Sequence, residues 1–267
     1  MLREPAVAGR FYPADPAALA ADIRSYLPPT EPRTKAFGCI VPHAGYMYSG
    51  QIAGAVFSKI EIPSICIILC PNHTGRGHPL AVMKEGAWQT PLGKLEIDAE
   101  LARNLLDAFP ALTSDSAAHQ FEHAIEVELP FLQIIRPHVQ FVPVAVGTGR
   151  LILLEKLGEA IAQAVQQSGD QILVIASSDM NHYEDDATTR VKDHKAIDQI
   201  LALDPAGLYH AVINESISMC GFGPSVAMLT AAKLLGAKHA ELVAYSTSGD
   251  VNGDRHAVVG YAGIVVS

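Results

Sequence analysis

Six short stretches of this 267-residue chain are apolar almost without interruption: AFGCIV (36–41), SICIILC (64–70), VQFVPVAV (139–146), QILVIAS (171–177), AELVAYS (240–246) and AVVGYAGIVV (257–266). Each has the length of a strand, and most are rich in β-branched residues. A strand with one wetted face alternates apolar and polar side chains, so continuous runs belong in a sheet covered on both faces. Helical patterns lie between them, at about 15–26, 98–109, 123–135, 151–167, 188–203 and 224–236. Ser168, Gly169 and Asp170 end the pattern at 151–167, and Pro130 is expected to kink or interrupt the one at 123–135. Strands alternating with helices imply an α/β fold: one open sheet, mostly parallel or mixed, in a single domain over 1–267. LPPTEPR (27–33) is the most loop-like stretch, but it follows only a short helix and separates no domains.

Composition narrows the function. Hydrophobic residues make up 49% and charged residues 18%, which suits a packed globular core. The formal charge of −9 argues against nucleic acid and anionic lipid as partners. No apolar run approaches the ~20 residues that span a bilayer, and MLREPAVAGRFYP lacks the shape of a signal peptide. Four cysteines without a CxxC pair make no disulfide framework. Cys39, Cys66 and Cys70 read as small core residues, and the chain reads as cytoplasmic.

Chemistry gathers where strands end. His43 follows CIVP, His73 follows CPN, and Asp179 with His182 follows QILVIASS. In a parallel sheet these ends share the carboxyl edge, where ligands of open α/β sheets bind. One such residue alone reads as a surface or capping residue, whereas three strands delivering imidazole or carboxylate to one rim form a constellation. Cys220 precedes Gly-Phe-Gly and a helix start, a setting expected to favour a thiolate, against the plainer reading of a buried cysteine at a tight turn. HQFEHAIEVELP places His119, His123 and Glu126 on one face if a helix begins early enough. It also fits the H-x-x-E-H zinc-protease pattern, with Glu122 as base. The more economical reading sends His123 alone to the rim. His78, His138, His194, His210 and His239 read as surface residues. His256 starts a strand, which puts it at the opposite rim, and Tyr46 and Tyr48 either line the pocket mouth or pack.

Two imidazoles and a thiolate can hold a divalent metal with positions left open. His182 is then placed to act as acid or base, with Asp179 orienting it or serving as a ligand. Without metal, Cys220 is the nucleophile of a thiol enzyme with His182 or His123 as base. A serine nucleophile at Ser177 or Ser178 lacks the G-x-S-x-G elbow.

AVAGRFYPADPAAL, VPHAGYMYSG, PNHTG, EHAIEVELPFLQ, ASSDMNHYE and MCGFGPSVAML together resemble the MEMO family, in the same order and over nearly the whole chain. Prokaryotic members are often called AmmeMemoRadiSam system protein B. The resemblance implies a fold similar to the class III extradiol (LigB-type) dioxygenases, which are non-haem iron enzymes that cleave catechol rings. It also implies metal positions at His43, His73 and Cys220, with Asp179 and His182 beside them and His123 in the same cleft. Iron(II) is the first metal expected, with copper and zinc as alternatives. The resemblance further suggests the system's protein A and a radical SAM protein as partners. The dioxygenases use two histidines and one carboxylate, so Cys220 is a departure. A thiolate changes metal preference and is itself oxidisable, which separates this chain from simple ring cleavage. The expected function is thus a metal-dependent, dioxygenase-like oxidoreductase, with a thiol enzyme or a peptide-binding module without turnover as alternatives.

Overall fold

The computed structural model describes residues 1–29 and 32–267, so Thr30 and Glu31, within LPPTEPR, lie outside the described residues. In chain order the first elements are β1 (Leu2–Arg3), α1 (Pro16–Tyr26), β2 (Gly38–Val41), α2 (Tyr46–Lys59) and β3 (Ile65–Pro71). Then follow β4 (Leu80–Val82), β5 (Ala87–Thr90), β6 (Gly93–Glu96), α3 (Ala99–Ala108), β7 (Thr113–Ser114), α4 (Leu129–Ile135) and β8 (Gln140–Val146). The remainder is α5 (Leu151–Ser168), β9 (Ile172–Ser177), β10 (His182–Glu184), α6 (Asp186–Leu201), α7 (Pro205–Asn214), α8 (Phe222–Leu235), β11 (Ala240–Thr247), α9 (Ser248–Asn252) and β12 (Val258–Val266).

All six apolar runs are strands of one mixed sheet. Its centre is parallel, in the order β2-β9-β3-β8. β12 adds antiparallel to β2, and β4 antiparallel to β8. Side chains alternate across the pleat. Ile67 and Leu69 of β3 join one core with α3, α5 and α8, while Cys66, Ile68 and Cys70 join a second core with α1, α2 and α4. The sheet is therefore covered on both faces, as its continuous apolar strands require. Cys39, Cys66 and Cys70 are buried core residues, as read from the sequence.

Three expectations are corrected. The pattern at 123–135 is helical only from Leu129. Pro130 occupies the first turn, where a missing N–H costs nothing, so it starts the helix rather than kinking it. Residues 124–128 are turns, so His119, His123 and Glu126 do not share a helical face. β12 runs antiparallel to the central strands, so its start lies at the carboxyl edge and His256 is not at the opposite rim; it is exposed and touches none of the other histidine rings.

Helix α2 was hidden in the sequence. Its Gly50 and Gly54 resemble loop residues, but they let α1 come close: a Cβ on Gly50 would fall 2.7 Å from the ring of Tyr26. This packing matters to the cleft, because α2 begins three residues after His43. Tyr46 is buried, with its hydroxyl donating to the Val127 carbonyl at 2.7 Å, and with Tyr48 it borders a cavity that none of His43, His73 and His123 lines.

Candidate metal centre

Three of the four parallel strands empty into one cleft. β2 leads to His43, β3 to His73, and β9 ends at Ser177 two residues before Asp179. His123 enters from the turns before α4. One ligand atom from each of His43, His73 and His123 lies within 4.8 Å of the others. The rings of His73 and His123 stack with centroids 4.9 Å apart, and His43 stands edge-on to both at 5.1 and 5.4 Å. His43 is buried, His123 half-buried, and His73 opens to solvent.

The surrounding hydrogen bonds decide which nitrogen each ring offers. Glu122 is fully buried. Its Oε1 takes His73 Nδ1 at 2.9 Å and the amides of His123 and Ala124, while its Oε2 takes the His73 amide at 2.7 Å. Burial alone would raise this carboxyl, but His73, His123 and the Ala124 amide hold it below the usual range. An ionised Glu122 makes His73 Nδ1 the donor and leaves Nε2 free, the arrangement in which carboxylates orient metal-binding imidazoles. His123 Nδ1 lies 3.4 Å from the same oxygen.

His43 is fixed differently. Its Nδ1 is 2.9 Å from Ser177 Oγ, which donates to the Ala124 carbonyl at 2.7 Å. Nδ1–H therefore donates to the serine, and Nε2 faces the cleft, 3.3 Å from Cys220 Sγ. Burial and the neighbouring His123, His73 and His182 keep His43 well below its ordinary pKa, so it stays neutral. At His73 burial opposes protonation, but Glu122 outweighs it and raises the pKa. At His123 burial prevails and lowers it. Three imidazoles converging on one point, with an anion behind His73 and His123, could hold a metal ion.

The remaining predicted residues sit beside this triad in altered roles. Cys220 touches His43, but burial and the Asp179 charge push its thiol well up rather than down, correcting the expected thiolate. That also weakens the thiol-enzyme alternative. Asp179 does not orient His182. It accepts the His43 amide at 2.8 Å, and burial pushes its pKa up to about 7 despite the amides of His43 and Ala44 and the nearby His73. His182 is held by Ser218, whose carbonyl takes Nδ1 at 2.9 Å and whose hydroxyl takes the amide at 2.7 Å. Burial lowers its pKa, against the pull of backbone carbonyls.

The protease-like pattern dissolves. His119 is fully buried against Trp88, with ring centroids 5.8 Å apart, and Glu122 faces protein donors on both oxygens. Glu122 and Ser177 are the positioning residues that sequence reasoning missed. Only the adjacency of Glu122 to His123 hinted at its part.

Fold and cleft define the class first: a mixed α/β protein with a candidate three-histidine metal centre at the carboxyl edge of its sheet. The Memo-like protein family model matches residues 3–265, and the chain belongs to that family. A MEMO1 family protein of Methanothermobacter thermautotrophicus is 40% identical, covering 98% of this chain and 99% of the relative. One from Methanopyrus kandleri is 44% identical, covering 99% of each. Among solved structures, an uncharacterized protein from Escherichia coli K12 aligns with a TM-score of 0.55 at 12% identity, over 85% of this chain and 98% of that one, a likeness of fold alone. Among the described residues no helix is long and apolar enough to cross a membrane.

Proposed function

We propose that this protein is a metal-dependent oxidoreductase of the dioxygenase-like kind, with a divalent metal held by His43, His73 and His123 and with Cys220 beside them. Iron(II) is the first choice of metal, and copper or zinc the next. The observation carrying this reading is the convergence of three imidazoles, one ring nitrogen of each within 4.8 Å of the others, with Nδ1 of His43 and His73 committed to Ser177 and Glu122 so that Nε2 of those two is the available donor. A bound iron or copper would supply Lewis acidity and electron transfer.

The chain's own groups handle protons. Asp179, with a pKa of about 7, gives or takes a proton one hydrogen bond from His43. His182, with Nδ1 committed to Ser218, offers Nε2 as an acid or base in the same cleft. Glu122 stays ionised throughout and holds the His73 ring.

The test is elemental analysis of untagged protein purified without oxygen, together with His43→Ala, His123→Ala and Cys220→Ser. Near-stoichiometric iron or copper in the parent, lost in both histidine variants, supports the triad. Retention in Cys220→Ser places the thiol beside the metal rather than on it, and loss there returns Cys220 to the ligand set. A parent that holds no metal and takes none up overturns the reading.

A further inference from the structure

The segment carrying Asp179 and His182 meets the segment carrying Cys220 along one seam, and side chains close it. Ser178 Oγ accepts the Gly221 amide at 3.0 Å, and Cys220 Sγ lies 3.6 Å from the Asp179 carbonyl oxygen. Asn181 Oδ1 accepts both the amide and the hydroxyl of Ser218, each at 3.0 Å. The backbone is tight on both sides. A Cβ on Gly221 would strike the Ser177 carbonyl oxygen and the Ser178 side chain, while Tyr183 and Ser216 are left-handed at φ 63 and 50.

Asn181 is fully buried, and each of its polar groups has a partner. Its amide donates to Asp193 Oδ1 at 2.8 Å, and its carbonyl accepts the Gly260 amide at 3.0 Å. Its Nδ2 donates to Glu184 Oε2 at 2.6 Å and reaches Thr189 Oγ1 at 3.4 Å. Lys192 and Asn181 hold the Glu184 carboxyl below its usual range, so it stays an acceptor. A carboxylate only accepts and a backbone amide only donates, so this side chain fits one way round, with Oδ1 towards Ser218. The Ser218 hydroxyl then gives its single proton to Asn181, and its oxygen is left to accept the His182 amide at 2.7 Å. The Ser218 carbonyl, which can only accept, requires a proton on His182 Nδ1, 2.9 Å away.

We propose that Asn181 is a positioning residue for the proton-handling side of the cleft: through Ser218 it fixes His182 with Nδ1 protonated and Nε2 open. That His182 serves as acid or base rests on the function proposed above; its tautomer does not, and the test reads the tautomer. Full-length protein labelled at the histidine nitrogens, zinc-loaded and metal-free, is followed by NMR above the pH at which His182 titrates. The parent is expected to show a protected Nδ1–H signal for His182. Asn181→Leu fills the space without an acceptor and is expected to lose that signal, while the Nδ1–H signals of His43 and of His194 on α6 persist. Ser218→Ala, at an exposed residue, is expected to exchange the His182 Nδ1 proton roughly tenfold faster. Asn181→Asp combined with Glu184→Gln swaps donor and acceptor across that contact, keeps an acceptor facing Ser218, and is expected to retain the signal. The proposal is overturned if the parent carries the proton on Nε2, or if folded Asn181→Leu keeps the Nδ1–H signal. Loss in the swapped pair as well reduces Asn181 to packing and also overturns it. Should Asn181→Leu not fold, an unchanged exchange rate in Ser218→Ala is enough to overturn it. Protein that takes up no zinc yet shows the protected Nδ1–H of His182 sinks the metal reading and leaves this one standing.

Discussion

The two walls of the cleft are built on opposite electrical plans. The wall carrying His73 and His123 has full charges sealed behind it: Glu122 against the imidazoles and, deeper, Arg3 paired with Glu126 at 2.5 Å, both side chains buried. In the wall carrying Asp179, His182 and Cys220, His182 is fixed by neutral groups, namely the Ser218 carbonyl and hydroxyl, with the Asn181 side chain taking the Ser218 amide. Its charges stand one residue further back: Asp193 and Glu184 hold Asn181, Glu184 pairs with Lys192, and Arg190 and Arg255 pair with Asp186 and Asp250 where they are partly wetted. A wall backed by fixed negative charge suits holding a cation. One whose groups are pushed toward neutrality suits passing protons.

Breaking the charged wall is expected to do the most harm. Arg3→Ala strands Glu126, which would keep only the Tyr12 hydroxyl and the amides of Ala6 and Val7. Losing one partner of a buried pair costs on the order of 3–5 kcal/mol, to be read from urea denaturation at pH 7.

A slightly smaller effect comes from His119. Burial and the Arg3 charge push its pKa from 6.5 down to about 4. Between those values the unfolded chain binds more protons than the folded one, so stability falls as the pH is lowered from 6.5 towards 4. The loss is on the order of 3 kcal/mol, and His119→Phe is expected to remove that share of the slope. An unchanged slope would place the acid sensitivity elsewhere.

Glu122→Gln sharpens the contrast without emptying the space. Metal affinity is expected to fall by roughly 10- to 100-fold, measured by competition with a chelator, while folding survives. At the bottom of the scale, Arg255→Ala removes an exposed partner of the outer pairs. It is expected to change the denaturation midpoint little, because these pairs are screened by solvent, and to leave the His182 resonances in place. A large shift in those resonances would mean that the outer charges do tune the proton-handling wall.

What the sequence revealed follows from where local signals reside. Residues such as Ile67, Ile68 and Leu69 announce a doubly covered strand because burial on both faces leaves no polar position. Strand ends then point to His43, His73 and Asp179 without further information. α2 escaped because Gly50 and Gly54 serve contacts with a distant residue, Tyr26, which no local pattern encodes. Glu122 looked like a surface acid or a protease base for the same reason: its four donors include the backbone and ring of His73, 49 residues away. The direction of β12, and with it the edge to which His256 belongs, depends on pairing rather than on composition. Asp179 and His182 looked like partners because they are three residues apart. The chain instead hands one to the His43 amide and the other to Ser218.

One carboxylate bracing two histidines also sets the mechanical character of the cleft. His123 is covalently next to Glu122, and Glu122 grips both the amide and the ring of His73, so these two rings behave as one rigid jaw. His43 hangs from another strand through Ser177 and is the other jaw. β2 and β9 are paired without a break, so any adjustment to ions of different radius would fall on the His43 ring and its Ser177 contact, the jaw held by a hydroxyl rather than by a carboxylate.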